Sequence, residues 1–275
     1  MFSKQLQFLD YHELADTIAE LGFASADLTV RAGGHVEPAR VERDLPRIVA
    51  ALTAVGCPPR LMATDISDAD HELTRPVLET AAALGIRHYR PAYYQYPETG
   101  PLPEALAEIS ARARRLSELS AELGISASYQ NHAGRMVGAQ VWEVWSLLRD
   151  ANPAGMGCQY DIRHATVEGG LSWANGLRLL APRITTLVLK DVRWGVVRDR
   201  WWTVNVPLGE GMVDFGAYFG LLRDYGIDIP ISLHCEYELG GANHGARAIE
   251  LPRKTVFAAL RRDLNFIRNR WAAVD

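Results

Sequence analysis

The most constraining feature of this chain is an alternation of two kinds of segment that runs nearly from end to end. Short apolar or β-branched runs stand at 26–30, 61–65, 86–90, 125–130, 156–161, 184–190 and 231–237, each about the length of a strand. Between them lie amphipathic stretches at helical spacing, such as YHELADTIAELG, VERDLPRIVAALTAVG and PEALAEISARARRLSELSAELG. Gly22, Gly56, Gly85, Gly124 and Gly226 close such stretches, and glycine is the residue that takes the left-handed conformation past a helix's last turn. Strand then helix, repeated, favours parallel pairing with right-handed crossovers.

A more polar candidate strand within residues 1–8 brings the seven clear runs to eight. Eight strand–helix units close most simply into a (β/α)8 TIM barrel, whose usual length of about 250 residues suits a chain of 275. The expectation is therefore one TIM-barrel domain over 1–275. An open doubly wound sheet is the alternative, but no GxGxxG follows the early strands. One connection breaks the repeat: DVRWGVVRDRWWTVNVPLGEG, after the run 184–190, reads as a hairpin with Arg198-Asp199 at its turn, folded over one end of the barrel.

Composition narrows the function classes. A net charge of -4 gives no basic stripe for a nucleic acid. Three scattered cysteines suit neither a disulfide framework nor a structural zinc motif, so a reducing, cytoplasmic setting is expected, although a removed leader peptide is compatible with the sequence. No apolar run approaches the roughly 20 residues that cross a bilayer.

In a barrel of this kind the reacting groups stand at the C-terminal strand ends. Those positions hold Arg31, His35, Asp65, Arg90, Tyr93, Gln130, His132, Asp161, His164, Lys190, Asp191, His234, Glu236 and Glu238. Alternation along a strand groups Gly157, Gln159 and Asp161 inward, likewise Thr186, Val188 and Lys190, and Ser232, His234, Glu236 and Glu238. The opposite register would bury Lys190 and Glu236 unpaired against helices, at a cost of several kcal/mol. Inside the barrel, Lys190 needs a carboxylate partner, which Asp161 or Glu236 can supply. Asp161 also suits a helix N-cap. Arg31, Arg90 and Tyr93 are candidates for holding substrate hydroxyls or a phosphate, or for pairing with nearby acids. Trp194, Trp201 and Trp202 suit either an apolar wall against a sugar face or the packing of the hairpin itself.

Through ELGFASADLTV, YDIRHATVEGG, LVLKDVRW and LGEGMVDF the chain resembles the xylose-isomerase-like TIM-barrel superfamily of sugar and sugar-phosphate isomerases and epimerases. The combination YQNHAG, DIRHATVEGGLSW, KDVRW and PISLHCEYELGG resembles a narrower subgroup of it with an altered metal-ligand set. The resemblance implies one divalent metal (Mn2+, Co2+, Zn2+ or Mg2+), held in many members by a Glu, an Asp, a His and a Glu on successive strand ends. Here only Asp161 matches. Gln130 stands where the first Glu would be, Val188 replaces the His, and His234 replaces the last Glu with Glu236 one inward step beyond. Gln130, Asp161, His234 and Glu236 form the expected mixed N and O ligand set.

The function that follows is a carbohydrate isomerase or epimerase that abstracts a proton beside a carbonyl. Glu236 is the expected base, Lys190 or the metal the electrophile, and His164 and Arg90 orient hydroxyls. Arg31, His35, Tyr93, His132 and Trp194 complete the substrate-binding set. A lyase or hydrolase acting on a keto sugar, and a sugar-binding barrel without catalysis, remain as alternatives. The partner is a small sugar or sugar derivative, and the resemblance implies a homodimer.

Overall fold

A computed structural model describes residues 1–274. Seven parallel strands form one sheet in the order β1 (Asp27–Val30), β2 (Leu61–Thr64), β3 (His88–Arg90), β4 (Ser126–Gln130), β5 (Met156–Asp161), β6 (Ile184–Leu189) and β9 (Ile231–Leu233). The eighth stave expected within residues 1–8 shrinks to one bridge. Phe2 pairs with Asp27, its N–H reaches Leu233 O at 3.1 Å, and Met1 O accepts from Asp27 N at 2.7 Å. Ser3–Leu6 then coil into a 3-10 turn. Two residues thus bring β1 and β9 together and complete a TIM barrel.

The helices around the barrel follow the amphipathic stretches: α1 (Tyr11–Leu21), α2 (Val41–Ala54), α3 (Thr74–Ala83), α4 (Leu102–Glu122), α5 (Val141–Arg149), α7 (Trp173–Leu180), α8 (Phe215–Asp224) and α9 (Arg253–Ala272). α1 shows why its ends fall where they do. Asp10 accepts from the amides of His12 and Glu13, Glu13 reaches back to Asp10, and Gly22 closes the last turn at φ 86°. α6 (Ile162–Gly169) was not expected from periodicity; it begins directly where β5 ends, with Asp161 as its cap. No helix among the described residues is long and apolar enough to cross a membrane.

The main apolar core lies between strands and helices, where Leu14, Ile18, Leu45, Ile48, Leu52 and Leu78 are buried with Tyr89, Tyr129 and Tyr160. Inside the barrel the buried side chains are largely polar: Ser3, Gln5, Asp27, Thr29, Ser128, Gln159, Thr186 and Ser232. Barrels of this fold usually fill that space with branched aliphatics. A hydrogen-bonded interior therefore leads up to the C-terminal strand ends.

The long connection is an antiparallel hairpin of β7 (Asp191–Val197) and β8 (Arg200–Val206), with Arg198 and Asp199 both at positive φ in its two-residue turn. Asp191, at its root, accepts backbone N–H bonds from Val192, Gly209, Gly211 and Val213 at 2.8 to 3.2 Å. That carboxylate winds the LGEGMV segment around itself. A Cβ on Gly211 would stand 2.1 Å from Asp191 Oδ1, so glycine is required there.

Candidate active site

β5 and β6 place Asp161 and Lys190 side by side at the barrel mouth, both buried. Lys190 Nζ lies 3.0 Å from Asp161 Oδ2 and 3.2 Å from Glu236 Oε2, while Lys4 Nζ holds the other oxygen, Glu236 Oε1, at 2.8 Å. Burial alone would lower the Lys190 pKa, but Asp161 and Glu236 outweigh it and hold the ammonium above its usual value. Burial likewise works against the Glu236 carboxylate, yet Lys190, His234 and Lys4 together keep it ionised well below the usual range.

β4 contributes a second layer. Gln130 donates from Nε2 to Asp161 Oδ2 at 2.6 Å and accepts from the Tyr93 hydroxyl on Oε1 at 2.5 Å. Asn131 exchanges two bonds with the Asp161 backbone, at 2.8 and 3.0 Å. The rings of Tyr93, His132 and His164 form a row, with centroids 4.6 and 4.0 Å apart. Burial and the Lys190 charge pull His132 down to about 4 and His164 well below the ordinary imidazole value, so both are neutral near pH 7.

The tautomer of His164 follows from its neighbours. Its Nδ1 faces two obligate donors, the Ala133 amide at 3.1 Å and Arg163 Nη1 at 3.0 Å. Nδ1 therefore accepts, and the single proton of the neutral ring sits on Nε2. That N–H meets Lys190 Nζ at 2.9 Å, donor against donor. The nearest carboxylate oxygen to it, Asp161 Oδ2, is 3.5 Å away and already takes bonds from Gln130 and Lys190. The site has one donor more than it has acceptors, and an incoming oxygen would balance it.

The expected ligands do not come together as a metal centre. Gln130 presents its NH2, not its oxygen, to Asp161, and both Glu236 oxygens are held by lysines. His234 stacks on Phe2 at 4.2 Å, points Nε2 at Ser232 Oγ, 3.1 Å away, which in turn donates to Asp27, and turns Nδ1 toward Glu236 Oε1 at 3.8 Å, the oxygen that Lys4 already holds. Among the described residues no three His, Cys, Asp or Glu side chains form a metal-binding group. The place between Asp161 and Glu236 that a cation would take is held by a lysine ammonium.

Of the other expected residues, Arg90 lies over the Tyr93 ring at 4.7 Å and Arg31 over Phe2 at 5.8 Å, both beside the mouth. His35 is bound elsewhere: its ring and amide are tied to Thr29 Oγ1, and none of its hydrogen bonds reaches the Lys190 cluster. Glu238 caps the Gly240 amide at 2.7 Å in the loop after β9; the strand ends at Leu233, so strict alternation does not carry as far as 238. Trp194, Trp201 and Trp202 are exposed. Cross-strand pairing sets Trp194, Trp201 and Asn205 on one hairpin face and Trp202 on the other. Asn205 binds both Arg163 Nε, at 3.1 Å, and Glu236 O, at 3.3 Å, so its face is the one that adjoins the site.

Lys4, Asn131, Arg163 and Asn205 escaped sequence reasoning. Lys4 lay in the weakest predicted strand, and Arg163 stood between two residues already singled out. Asn205 belongs to a hairpin whose docking no local pattern fixes.

The model of the family described as xylose isomerase-like TIM barrel matches residues 15–254. No curated protein matches the sequence. Among solved structures, D-allulose 3-epimerase from Methylomonas sp. superposes with a TM-score of 0.70 at 17% identity, covering 94% of this chain and 91% of that one. The 3-keto-D-glucoside 4-epimerase from E. coli gives 0.69 at 16%, covering 94% of each chain. A probable 3-DHS dehydratase from Bacillus anthracis gives 0.70 at 15%, covering 98% of each. At these identities the likeness is one of fold.

Proposed function

This chain belongs to the xylose isomerase-like TIM barrel family, and on that premise we propose that it isomerises or epimerises a carbohydrate by moving a proton at a carbon next to a carbonyl. The observation that carries this reading is the surplus donor: Lys190 Nζ and His164 Nε2–H stand 2.9 Å apart, short of one acceptor. A substrate carbonyl oxygen placed there receives an ammonium and a neutral imidazole N–H. As the proton leaves carbon, charge gathers on that oxygen, where fixed donors stabilise it most. The similarly folded epimerases support the reaction class.

Glu236 is the base. In the free site the two lysines hold it ionised, as a base must be, but weaken it. A substrate oxygen that draws Lys190 toward itself loosens one of those contacts and strengthens the carboxylate when substrate is in place. The proton it accepts returns to the adjacent carbon in an isomerisation; an epimerisation needs a second donor that protonates the same carbon from the opposite face, because return from Glu236 itself would restore the substrate. Asp161 and Gln130 position Lys190, and Arg31, Arg90, Tyr93, His132 and Trp194 line the approach for the rest of the sugar.

A divalent metal has no step here, because the residues expected to hold it are committed to Lys190, Lys4, Tyr93 and Ser232. In an elimination the proton that Glu236 takes, or one from Lys190, would pass to a leaving hydroxyl, and the product would be unsaturated. Proton exchange decides the matter. A panel of ketoses, keto sugars and sugar acids in D2O, followed by NMR, is expected to show one carbon-bound hydrogen replaced by deuterium. The exchange should survive EDTA and fall about 100- to 1000-fold in Lys190→Met. No exchange with any member of the panel would refute the reaction, and loss on chelation would refute the lysine as electrophile.

A further inference from the structure

The charges at the mouth do not balance. Lys190 and Lys4 are paired with Asp161 and Glu236. Arg31, Arg90 and Arg163 have no carboxylate within ion-pair distance among the described residues. Arg163 is bound to Asn205 and His164. Arg90 is 6% exposed, and among the described residues the only hydrogen bond of its guanidinium runs from Nη1 to Pro91 O at 3.0 Å. The Arg31 guanidinium makes none among the described residues; Asp65, the carboxylate whose charge acts on it most, accepts from the Ala32 amide instead. A guanidinium withdrawn from water without a counter-charge is unfavourable, and proteins rarely keep one without a ligand for it.

The surroundings of these two arginines indicate what the ligand is. Cζ of Arg90 lies over the Tyr93 ring at 4.7 Å and Cζ of Arg31 over the Phe2 ring at 5.8 Å, so on that side each guanidinium meets an aromatic ring and no carboxylate. The N–H groups of a guanidinium point outward in its plane, where two of them match the two oxygens of a carboxylate or phosphate. Burial and the neighbouring Arg90 charge both lower the Arg31 pKa, so the two cations repel each other until an anion joins them. Tyr93 links this pair to the reacting centre: its ring carries Arg90 and its hydroxyl binds Gln130, which binds Asp161 beside Lys190.

We propose that Arg31 and Arg90 bind a terminal oxyanion of the substrate, so that the sugar processed at Lys190 and Glu236 is an acid, a carboxylate or a phosphate ester, and not a neutral ketose. This rests on the isomerase reading for what happens to the substrate, but not for its binding. The opposite end of the sugar then reaches the Lys190 and His164 donors along the row of Tyr93, His132 and His164.

Calorimetric titration of the full chain in low-chloride buffer, with D-galacturonate, D-fructose 6-phosphate, inorganic phosphate and D-fructose, tests the proposal. At least one anion is expected to bind tenfold or more tightly than D-fructose, and comparison of the uronate with the phosphate ester tells which oxyanion the site takes. In Arg90→Gln and in Arg31→Gln that preference should collapse toward one. A structural role for Arg90 predicts a lower melting temperature for Arg90→Gln without ligand; removal of an unpaired cation predicts an equal or higher one. Should Arg90→Gln fail to fold, the half-buried Arg31→Gln carries the test alone. Equal binding of D-fructose and every anion, or an anion preference that survives both substitutions, overturns the proposal. Deuterium exchange with neutral ketoses only would sink this inference and leave the reaction standing; arginine-dependent anion binding without exchange would do the reverse.

Discussion

Two buried imidazoles carry a pH signature of their own. Burial holds His35 and His132 at about 4 in the fold, against roughly 6.5 in an unfolded chain. Between those values the unfolded chain binds more protons than the folded one, so stability is full above about pH 6.5 and is lost as the pH falls toward 4. The slope for fully buried His35 approaches roughly 1 kcal/mol per pH unit. Urea unfolding from about pH 6.5 to 4.5 should show the free energy falling steadily with pH. His35→Gln should reduce the slope, and an identical slope in that variant would remove His35 as its source.

At the scale of elements, the β7–β8 hairpin divides its tryptophans by pleat. Trp201 shares the face of Asn205 and Trp194, while Trp202 faces the other way. Once a substrate is in hand, Trp201→Ala is expected to weaken its binding by roughly tenfold, the order of an aromatic contact. Trp202→Ala should change it less than about twofold, since an exposed residue turned from the site contributes little. Equal effects of the two on KM would mean that the hairpin packs differently against the mouth in solution. The hairpin's root depends on Asp191 and the glycines around it, so the KDVRW and LGEGMVDF motifs act as one unit.

For the whole molecule, closure of the barrel rests on very little chain. Phe2 joins β9 to β1 through its backbone, and its buried ring stacks on His234. Phe2→Ala should therefore cost about 3–5 kcal/mol, whereas Phe2→Leu, which keeps the volume, should cost under about 2 kcal/mol. Chemical denaturation of the three proteins checks this ordering. Equal stability of Phe2→Ala and the parent would show that the ring adds nothing to the backbone bridge in holding the barrel closed.

The alternation of short strands and amphipathic helices determined the barrel, because period and glycine stops are local properties that survive any tertiary arrangement. The same periodicity set which strand residues face inward, and so assigned Asp161, Lys190 and Glu236 to one end of the barrel. It could not see α6, which starts without a loop, nor the shortness of the first stave, whose polar residues turn into the barrel as a 3-10 coil. Gln130, read against the family pattern, was the fourth member of a metal set with His234. Only the tertiary structure decided that its amide donates to Asp161, that His234 is tied to Ser232, and that a lysine ammonium stands between the carboxylates. Residue types fix which groups are available at a strand end. The partner each takes depends on distances of a few tenths of an ångström between strands far apart in sequence, where a charge settles on the nearest opposite charge that burial leaves it.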